Sequence, residues 1–529
     1  MTDARSPMSL DENALAGARL LALLPLSRKD RTKYIFELLA AGKARWNWNI
    51  DVVCQVTDRR PFEDLVAPAG RLYSPPHLLK IADWERDPTA EAAVVARMHE
   101  GELAADLPLG RMVLAGAHSV GRAYNLKLRY SNRYPLLQRM ARHNLEPFRV
   151  YHRLFKFCDD TLASANPDLV FALDWTTPLN SCMWLAANLR GIPCVSLRNS
   201  KIVPNHAFWT GHRLLLNTAS LERAWAKREA GVPISEAACK YIDGFRNQPR
   251  TIDYIANKWR DRMRRGFWRW HLEYARTMVR ELINTTRGQD RALRELGIVR
   301  LYRYYRGLWL AYYHRRFLKV MDEATLADTK YVYFPLHKEA ELAQTFQATL
   351  WHDQRNTVRV LASLLPAGYR LLVREHRLNY GLRPTRVYRQ LSTIPNVTLI
   401  DPFDSQFKYL RHANLIITEN GSSGWEGLLL GRPVITLAST FYDGAGLGSK
   451  IKNPEQLNAA ILDALAKPAI ADAQAYDHAL GCMVDAEFES TFPTNMSGTP
   501  VALDLLMTTV VGALQSRLAA ASPRIRSSG

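Results

Sequence analysis

The 529-residue chain predicts an α/β protein of two Rossmann-like domains facing a cleft, with a basic helical insertion between them. Three observations predict it. The chain is longer than one hydrophobic core usually supports. Strand–helix alternation, the mark of a parallel sheet, occurs twice. The stretch separating the two runs lacks that alternation and is rich in arginine and aromatic residues.

The first run begins with Arg19–Leu26, an apolar stretch that reads as a buried parallel strand, followed by helix Arg31–Ala44 and strand Ile50–Val56. Residues 76–165 read mostly helical, with Tyr134–Leu162 the longest amphipathic piece. The alternation then resumes with strand Asp168–Leu173, helix Leu179–Leu189 closed by Gly191, and strand Pro193–Leu197. The second run is denser. Strand Tyr331–Leu336 leads into a helix over Ala340–Leu365, then strand Tyr369–Glu375, helix Thr385–Leu391 and strand Val397–Ile400. Helix Gln406–Ala413, strand Leu415–Thr418, helix Ser423–Leu430 and strand Pro433–Leu437 complete it, with Pro366, Gly368, Pro395, Gly431 and Pro433 placed where turns belong. The chain therefore divides into a flexible N-terminus (1–17), an N-terminal domain (18–215), a helical basic and aromatic segment (216–328), a C-terminal domain (329–480), a loop and return helix (481–520, the helix at Val501–Leu518) and a disordered tail (521–529).

Composition narrows the class. Hydrophobic residues make up 47% and charged residues 23%, as in ordinary globular proteins, which argues against disorder. The excess of 70 Lys+Arg over 51 Asp+Glu, a formal charge of +19, favours an anionic partner. Between Lys258 and Lys319 there are 17 basic and 5 acidic residues, interleaved with Trp259, Trp268, Trp270, Tyr304, Trp309 and Tyr312. Two readings stay open for that segment: packed aromatics with solvated arginines, or a face lying on anionic lipid headgroups. Base stacking on nucleic acid fits less well. The six cysteines are scattered without a CxxC pair and read as buried free thiols. The polar, acidic Met1–Gly17 lacks a signal-peptide layout, and no apolar run reaches the roughly 18–20 residues that span a bilayer. The expectation is a cytoplasmic protein, peripheral on the inner face of the cytoplasmic membrane.

In an open parallel sheet, ligands bind beyond the carboxyl ends of the strands, where strand order reverses. In the second run those positions are polar: His337, Arg374–Glu375–His376, and Glu419–Asn420–Gly421–Ser422–Ser423. Glycine at 421 permits a tight turn, and the helix start beyond it presents unpaired amides and the positive end of a dipole to a phosphate. The alternative is an ordinary N-cap at Ser422 or Ser423 with Glu426 closing a capping box. Glu426 lies one turn into the helix and could accept from ribose hydroxyls; Arg374 and His376 could neutralise phosphate. In the first run, Asp174 ends the strand VFALD as a base or as a helix N-cap, and Arg198 and Lys201 could contact an acidic acceptor. There is no Asp-x-Asp metal motif, and Asp159–Asp160 reads as solvated.

The runs YFPLHKEAE (Tyr333–Glu341), LPAGYRLLVREH (Leu365–His376), IPNVTLIDP (Ile394–Pro402) and ITENGSSGWEGLLLGRPVI (Ile417–Ile435) resemble the bacterial capsular polysaccharide biosynthesis proteins. These are glycosyltransferase-B enzymes that include transferases of Kdo from CMP-Kdo. The resemblance is dense over residues 331–445 and fainter over 130–205, where PDLVFALD (Pro167–Asp174) and GIPCVSLRNSKI (Gly191–Ile202) are similar to the family's acceptor-side domain. It implies a metal-independent glycosyltransferase with no cofactor, moving a sugar from a nucleotide-sugar donor to a polysaccharide or glycolipid acceptor. Donor binding is implied for His337, Arg374, His376, the Gly421–Ser423 turn with Asn420 before it, and Glu426. The family's His-Pro is His376–Arg377 here, and proline fixes a loop shape that arginine does not. A sugar-nucleotide epimerase and a non-catalytic export or assembly factor are the alternative functions.

Overall fold

A computed structural model of the chain describes residues 16–24, 29–54, 70–74, 88–105, 147–173, 178–212, 216–250, 312–338, 347–380, 383–466 and 472–494, with a few shorter stretches and single positions beside them. The chain forms two compact units, the first running to Thr218 and taking the chain back from Glu487, the second containing Ala219–Ala486. That division differs from the expected one at the C-terminal end.

In the first unit, β1 (Arg19–Leu24), α1 (Lys29–Trp46), β2 (Asn49–Cys54) and β3 (Leu72–Tyr73) are followed by helices α2 (Pro88–Ala105) and α3 (Pro147–Ala165). Next come β4 (Leu169–Ala172), α4 (Pro178–Leu189), β5 (Cys194–Asn199) and β6 (His206–Thr210). The sheet order is β3-β2-β1-β4-β5-β6, the two halves winding outward in opposite directions from the β1/β4 junction. Strands β1 to β5 pair in parallel, as buried apolar runs favour, whereas β6 returns antiparallel to β5. The predicted Tyr134–Leu162 helix is represented by α3; its first half lies outside the described residues.

The second unit starts with α5 (Thr218–Glu229) and α6 (Glu236–Asn247), and continues after the insertion with α7 (Glu323–Asp328) and β7 (Tyr331–Pro335). It proceeds through α8 (Gln354–Leu364), β8 (Arg370–Arg374), α9 (Thr385–Ser392), β9 (Val397–Ile400), α10 (Gln406–His412) and β10 (Leu415–Thr418). Then follow α11 (Ser422–Leu429), β11 (Val434–Thr436), β12 (Ser449–Lys450), α12 (Gln456–Ala466) and α13 (Ala473–Glu489). All neighbours in this sheet are parallel, in the order β12-β11-β10-β7-β8-β9. Strand order therefore reverses between β7 and β10. Val332, Phe334, Leu371, Val373, Leu399, Leu415, Ile417 and Ile435 point into one core on one face of this sheet, packed against the apolar sides of α8, α9 and α12.

Several boundaries move for local reasons. The single helix expected over Ala340–Leu365 is replaced, among the described residues, by a 3-10 turn at Thr349–Trp351 and then α8. Asp353 starts α8 by accepting from the amides of Arg355 and Asn356, a strong N-cap that apolar periodicity does not register. Helix α13 runs on to Glu489, past the expected domain boundary at 480 and up to the stretch read as loop at Ser490–Pro500. From there β13 (Phe492–Pro493) pairs antiparallel with β6, and Ala502, Leu503 and Leu506 join the core of the first unit, where Trp209 Nε1 donates to Ala502 O at 2.9 Å. Apart from Leu272, Ala275 and Arg276, residues 251–308, which hold most of the basic aromatic segment, lie outside the described residues. All six cysteines are free; Cys239 is half-buried and the others are buried. No helix among the described residues is long and apolar enough to cross a membrane.

Candidate functional site

The β7/β10 junction is where a doubly wound sheet leaves a crevice at its carboxyl edge. The chain segments leaving β7, β10 and the neighbouring β8 carry His337, the turn at 418–421, and Arg374–His376.

The turn after β10 is held from two sides. Thr418 Oγ1 accepts from the Gly421 amide at 3.1 Å, and Tyr442 Oη donates to the Gly421 carbonyl at 3.0 Å. Gly421 is itself the N-cap residue of α11, with no side-chain cap. The capping-box alternative is therefore not formed: Ser422 and Ser423 are the first two helical residues, and Glu426 turns elsewhere. The early amides of α11 lack intrahelical acceptors by construction. Space at 421 is tight. A Cβ there would stand 3.0 Å from Thr418 Oγ1 and 3.1 Å from His337 Cε1, which places the imidazole directly against the turn. Gly424 is tighter still, with a Cβ position 2.0 Å from Tyr442 Oη.

His337 is held by its backbone. Gln354, buried at the start of α8, accepts from the His337 amide at 2.6 Å and donates to its carbonyl at 3.1 Å. The imidazole Nε2 lies 3.3 Å from Thr418 Oγ1. Arg383 also donates to the His337 carbonyl, at 3.2 Å, while its guanidinium pairs with Glu375 at 2.7 Å. Glu375 further accepts from Tyr388 Oη at 2.5 Å and from the His376 amide at 2.6 Å. Of the polar triplet at the end of β8, Glu375 is thus consumed as scaffold. A buried ion pair of this kind has its charges matched inside and contributes none outward.

Arg374 is buried, and all its hydrogen bonds go to neutral acceptors: Pro402 O at 2.7 Å, Asp404 O at 3.0 Å and Gln406 Oε1 at 3.2 Å. Gln406 Nε2 in turn donates to Glu426 Oε2 at 2.8 Å. Because an arginine can only donate, it fixes which end of the Gln406 amide faces Glu426. Glu426 is 2% exposed, and its Oε1 has no hydrogen-bond partner among the described residues. Burial pushes this carboxyl up to about 8, against the opposing pull of Arg374. The side chain is therefore a neutral acid at neutral pH, enclosed among Gln406, Arg374, Tyr333 and Tyr442 rather than open to a ribose. His376 is half-buried and likewise neutral: burial pulls its imidazole down to about 4, with Lys338, Arg383 and Arg374 adding to the effect and Glu375 opposing it. Asn420 is buried and donates to Gln347 Oε1 at 2.7 Å.

The structure thus brings His337 against the Gly421 turn, and links Arg374 to Glu426 through Gln406. Of the acceptor-side residues, Asp174 lies outside the described residues. Arg198 falls within β5, opposite Phe208, because that strand continues to Asn199 instead of ending at Leu197. Lys201 is exposed beyond it. Asp159 is not simply solvated, since it bridges Arg97 at 2.6 Å and Arg190 at 2.8 Å; Asp160 is the exposed member, paired with Lys156. Gln354, Arg383, Gln406, Tyr333 and Tyr442 escaped sequence reading. Each acts through contacts that form only in the folded chain, and single polar or aromatic residues carry no local signal of them.

Comparison with known proteins places the second unit. Residues 242–486 match the family described as "Capsule polysaccharide biosynthesis protein", a span that contains the four motif runs and excludes residues 130–205. Among solved structures, the beta Kdo 2,4 transferase KpsC of Thermosulfurimonas dismutans aligns at 14% identity and TM-score 0.30, covering 60% of this chain and 79% of that one. The beta Kdo 2,7 transferase of the same organism aligns at 11% identity and TM-score 0.28, covering 66% and 89%. The UDP-GlcNAc 2-epimerase of Neisseria meningitidis, bound to UDP-GlcNAc, aligns at 12% identity and TM-score 0.24, covering 93% and 100%. No curated protein matches the chain.

Proposed function

With residues 242–486 matching the capsule polysaccharide biosynthesis family, we propose that this chain is a glycosyltransferase that moves a sugar from a nucleotide-sugar donor onto a polysaccharide or glycolipid acceptor. One observation carries the proposal. At the point where strand order reverses, an uncapped helix start stands against His337, and the adjacent strand ends in a buried arginine whose hydrogen bonds, among the described residues, go to neutral acceptors. That is a place for an anion on the carboxyl edge of a doubly wound sheet.

The chemistry follows from charge development. Glycosyl transfer passes through an oxocarbenium-like transition state while the leaving phosphate gains negative charge. Fixed helix amides and Arg374 stabilise that charge without reorganising, which is the efficient form of electrostatic catalysis. In this reading the donor phosphates are neutralised by the protein itself, so the reaction is metal-independent. His376, held neutral by burial, serves as a hydrogen-bonding group rather than as a cation, and His337 stands against the turn that would receive the phosphates. Asp174 in the first unit is the proposed base for the acceptor hydroxyl, with Arg198 and Lys201 toward an acidic acceptor. The excess of basic residues, with the largely exposed Trp309 and Tyr312 and with Arg316 over the Tyr313 ring at 3.6 Å, supports a peripheral position on an anionic membrane surface in the cytoplasm.

The test is turnover of a panel of CMP-, UDP- and GDP-sugars by purified protein, with and without capsule oligosaccharide as acceptor. His337→Ala and His376→Ala should each remove transfer while the melting transition stays intact. Wild-type turnover in both variants rejects the site, and conversion of the donor sugar without acceptor assigns an epimerase instead.

A further inference from the structure

We infer that Arg377 makes the anion site selective for a diphosphate: with Arg374 it sets two guanidinium groups beside each other, matched to a nucleoside diphosphate donor rather than to a nucleoside monophosphate one. This deepens the donor-binding reading above and rests on it.

The geometry is a shared anchor. Arg374 donates from a terminal nitrogen to the Pro402 carbonyl at 2.7 Å, and Arg377 donates from Nε to the same oxygen, also at 2.7 Å. One carbonyl therefore holds both guanidiniums within two hydrogen-bond lengths of each other. Arg377 makes no other hydrogen bond among the described residues, so both terminal nitrogens of its fork are available. A guanidinium fork is the group best shaped for phosphate oxygens.

Two like charges so close repel, and the surroundings do little to offset them. Burial first, and the Arg374 charge second, pull the Arg377 guanidinium below its usual range. Arg383 is already matched by Glu375. Glu426 and His376 are neutral. Asp401 pulls on Arg377 electrostatically, one carboxylate charge set against two guanidiniums. Positive charge is left in excess at the end of β8. A CMP-linked sugar brings one phosphate charge to it, whereas a sugar joined through a diphosphate brings two, enough to match both guanidiniums. The anchor also explains how arginine is accommodated after His376: Pro402 O fixes the direction of the side chain, and residues 377–379 form a single 3-10 turn.

The experiment compares the terminal methyl esters of CDP and CMP, of UDP and UMP, and of GDP and GMP by calorimetric titration at one ionic strength; these carry two charges and one, as the corresponding linked sugars do, so that base and phosphate number separate. Wild-type protein should prefer the diphosphate of at least one pair by about tenfold or more, the scale of one charge-assisted hydrogen bond. Arg377→Gln should bring that ratio down about tenfold, and Arg377→Lys should restore part of it. Equal affinities for diphosphate and monophosphate in the wild type, or an unchanged ratio in Arg377→Gln, overturn the inference while leaving a nucleotide site standing. Failure of all six nucleotides to bind overturns the donor-binding reading itself. Should Arg377→Gln fail to fold, the wild-type ratios and Arg377→Lys still decide.

Discussion

Replacing Glu426 with glutamine removes a proton equilibrium while keeping shape and hydrogen bonding, since the glutamine carbonyl can accept from Gln406 Nε2 as the carboxyl does. The folded state holds this carboxyl at about 8, whereas its ordinary value is 4.5. Folding therefore binds the proton more tightly than the unfolded chain does. Stability from this group is fully present below about pH 4.5 and is lost as pH rises through 8. At about 1.4 kcal/mol per pKa unit, the ionised side chain costs on the order of 5 kcal/mol by pH 9, an upper bound because water and side chains relax around a buried charge. Glu426→Gln should melt like the wild type at pH 5 and become several kcal/mol more stable than it at pH 9. The assay is a matched pair of thermal and urea denaturation curves at pH 5, 7 and 9, in which every other titrating group cancels between the two proteins. A variant less stable than the wild type by the same margin at all three values would show that Glu426 is ionised and paired with Arg374, and the picture of a neutral buried acid would fall.

Gly421→Ala should leave the fold in place but drive the His337 imidazole from the turn, weakening nucleotide binding about tenfold; calorimetry and a wild-type-like melt check both halves. Gly424→Ala should cost about 1–3 kcal/mol, because the added methyl meets Tyr442 Oη on a fixed ring, and denaturation measures it. Arg383→Met strands the Glu375 carboxylate inside the unit and should cost about 3–5 kcal/mol, whereas the double change Arg383→Met with Glu375→Gln should recover much of it. His376 should titrate near pH 4 by NMR. Its folded value lies below the ordinary 6.5, so its contribution to stability is present above pH 6.5 and is lost as pH falls toward 4; a midpoint near 6.5 would refute its burial.

Much of the second unit was legible because its strands are buried on both faces. Continuous apolar runs such as Leu415–Thr418 and Tyr331–Pro335 admit few other readings, and the punctuating Gly and Pro residues mark the turns between them. The failures have equally local causes. Asp353 caps a helix inside an apolar periodic stretch and so divides it. Arg198 extends a strand because β6 returns to pair with it, a partner that residue pattern alone does not reveal. The C-terminal segment read as a loop and an apolar return helix with no stated partner; Phe492, Leu503 and Leu506 complete a core begun at Leu20.

For the candidate site, the sequence by itself determined where chemistry could occur: the polar residues at the carboxyl ends of β7, β8 and β10, and a glycine turn before a helix. Periodicity and turn chemistry act over a few residues, so they suffice for that. Tertiary structure alone decided what each polar group does. Glu375 is taken by Arg383, Glu426 is a neutral acid behind Gln406, and Arg374 and Arg377 share the Pro402 carbonyl. Charge state depends on burial and on neighbours brought in from other strands and helices, and those distances exist only once the sheet has formed.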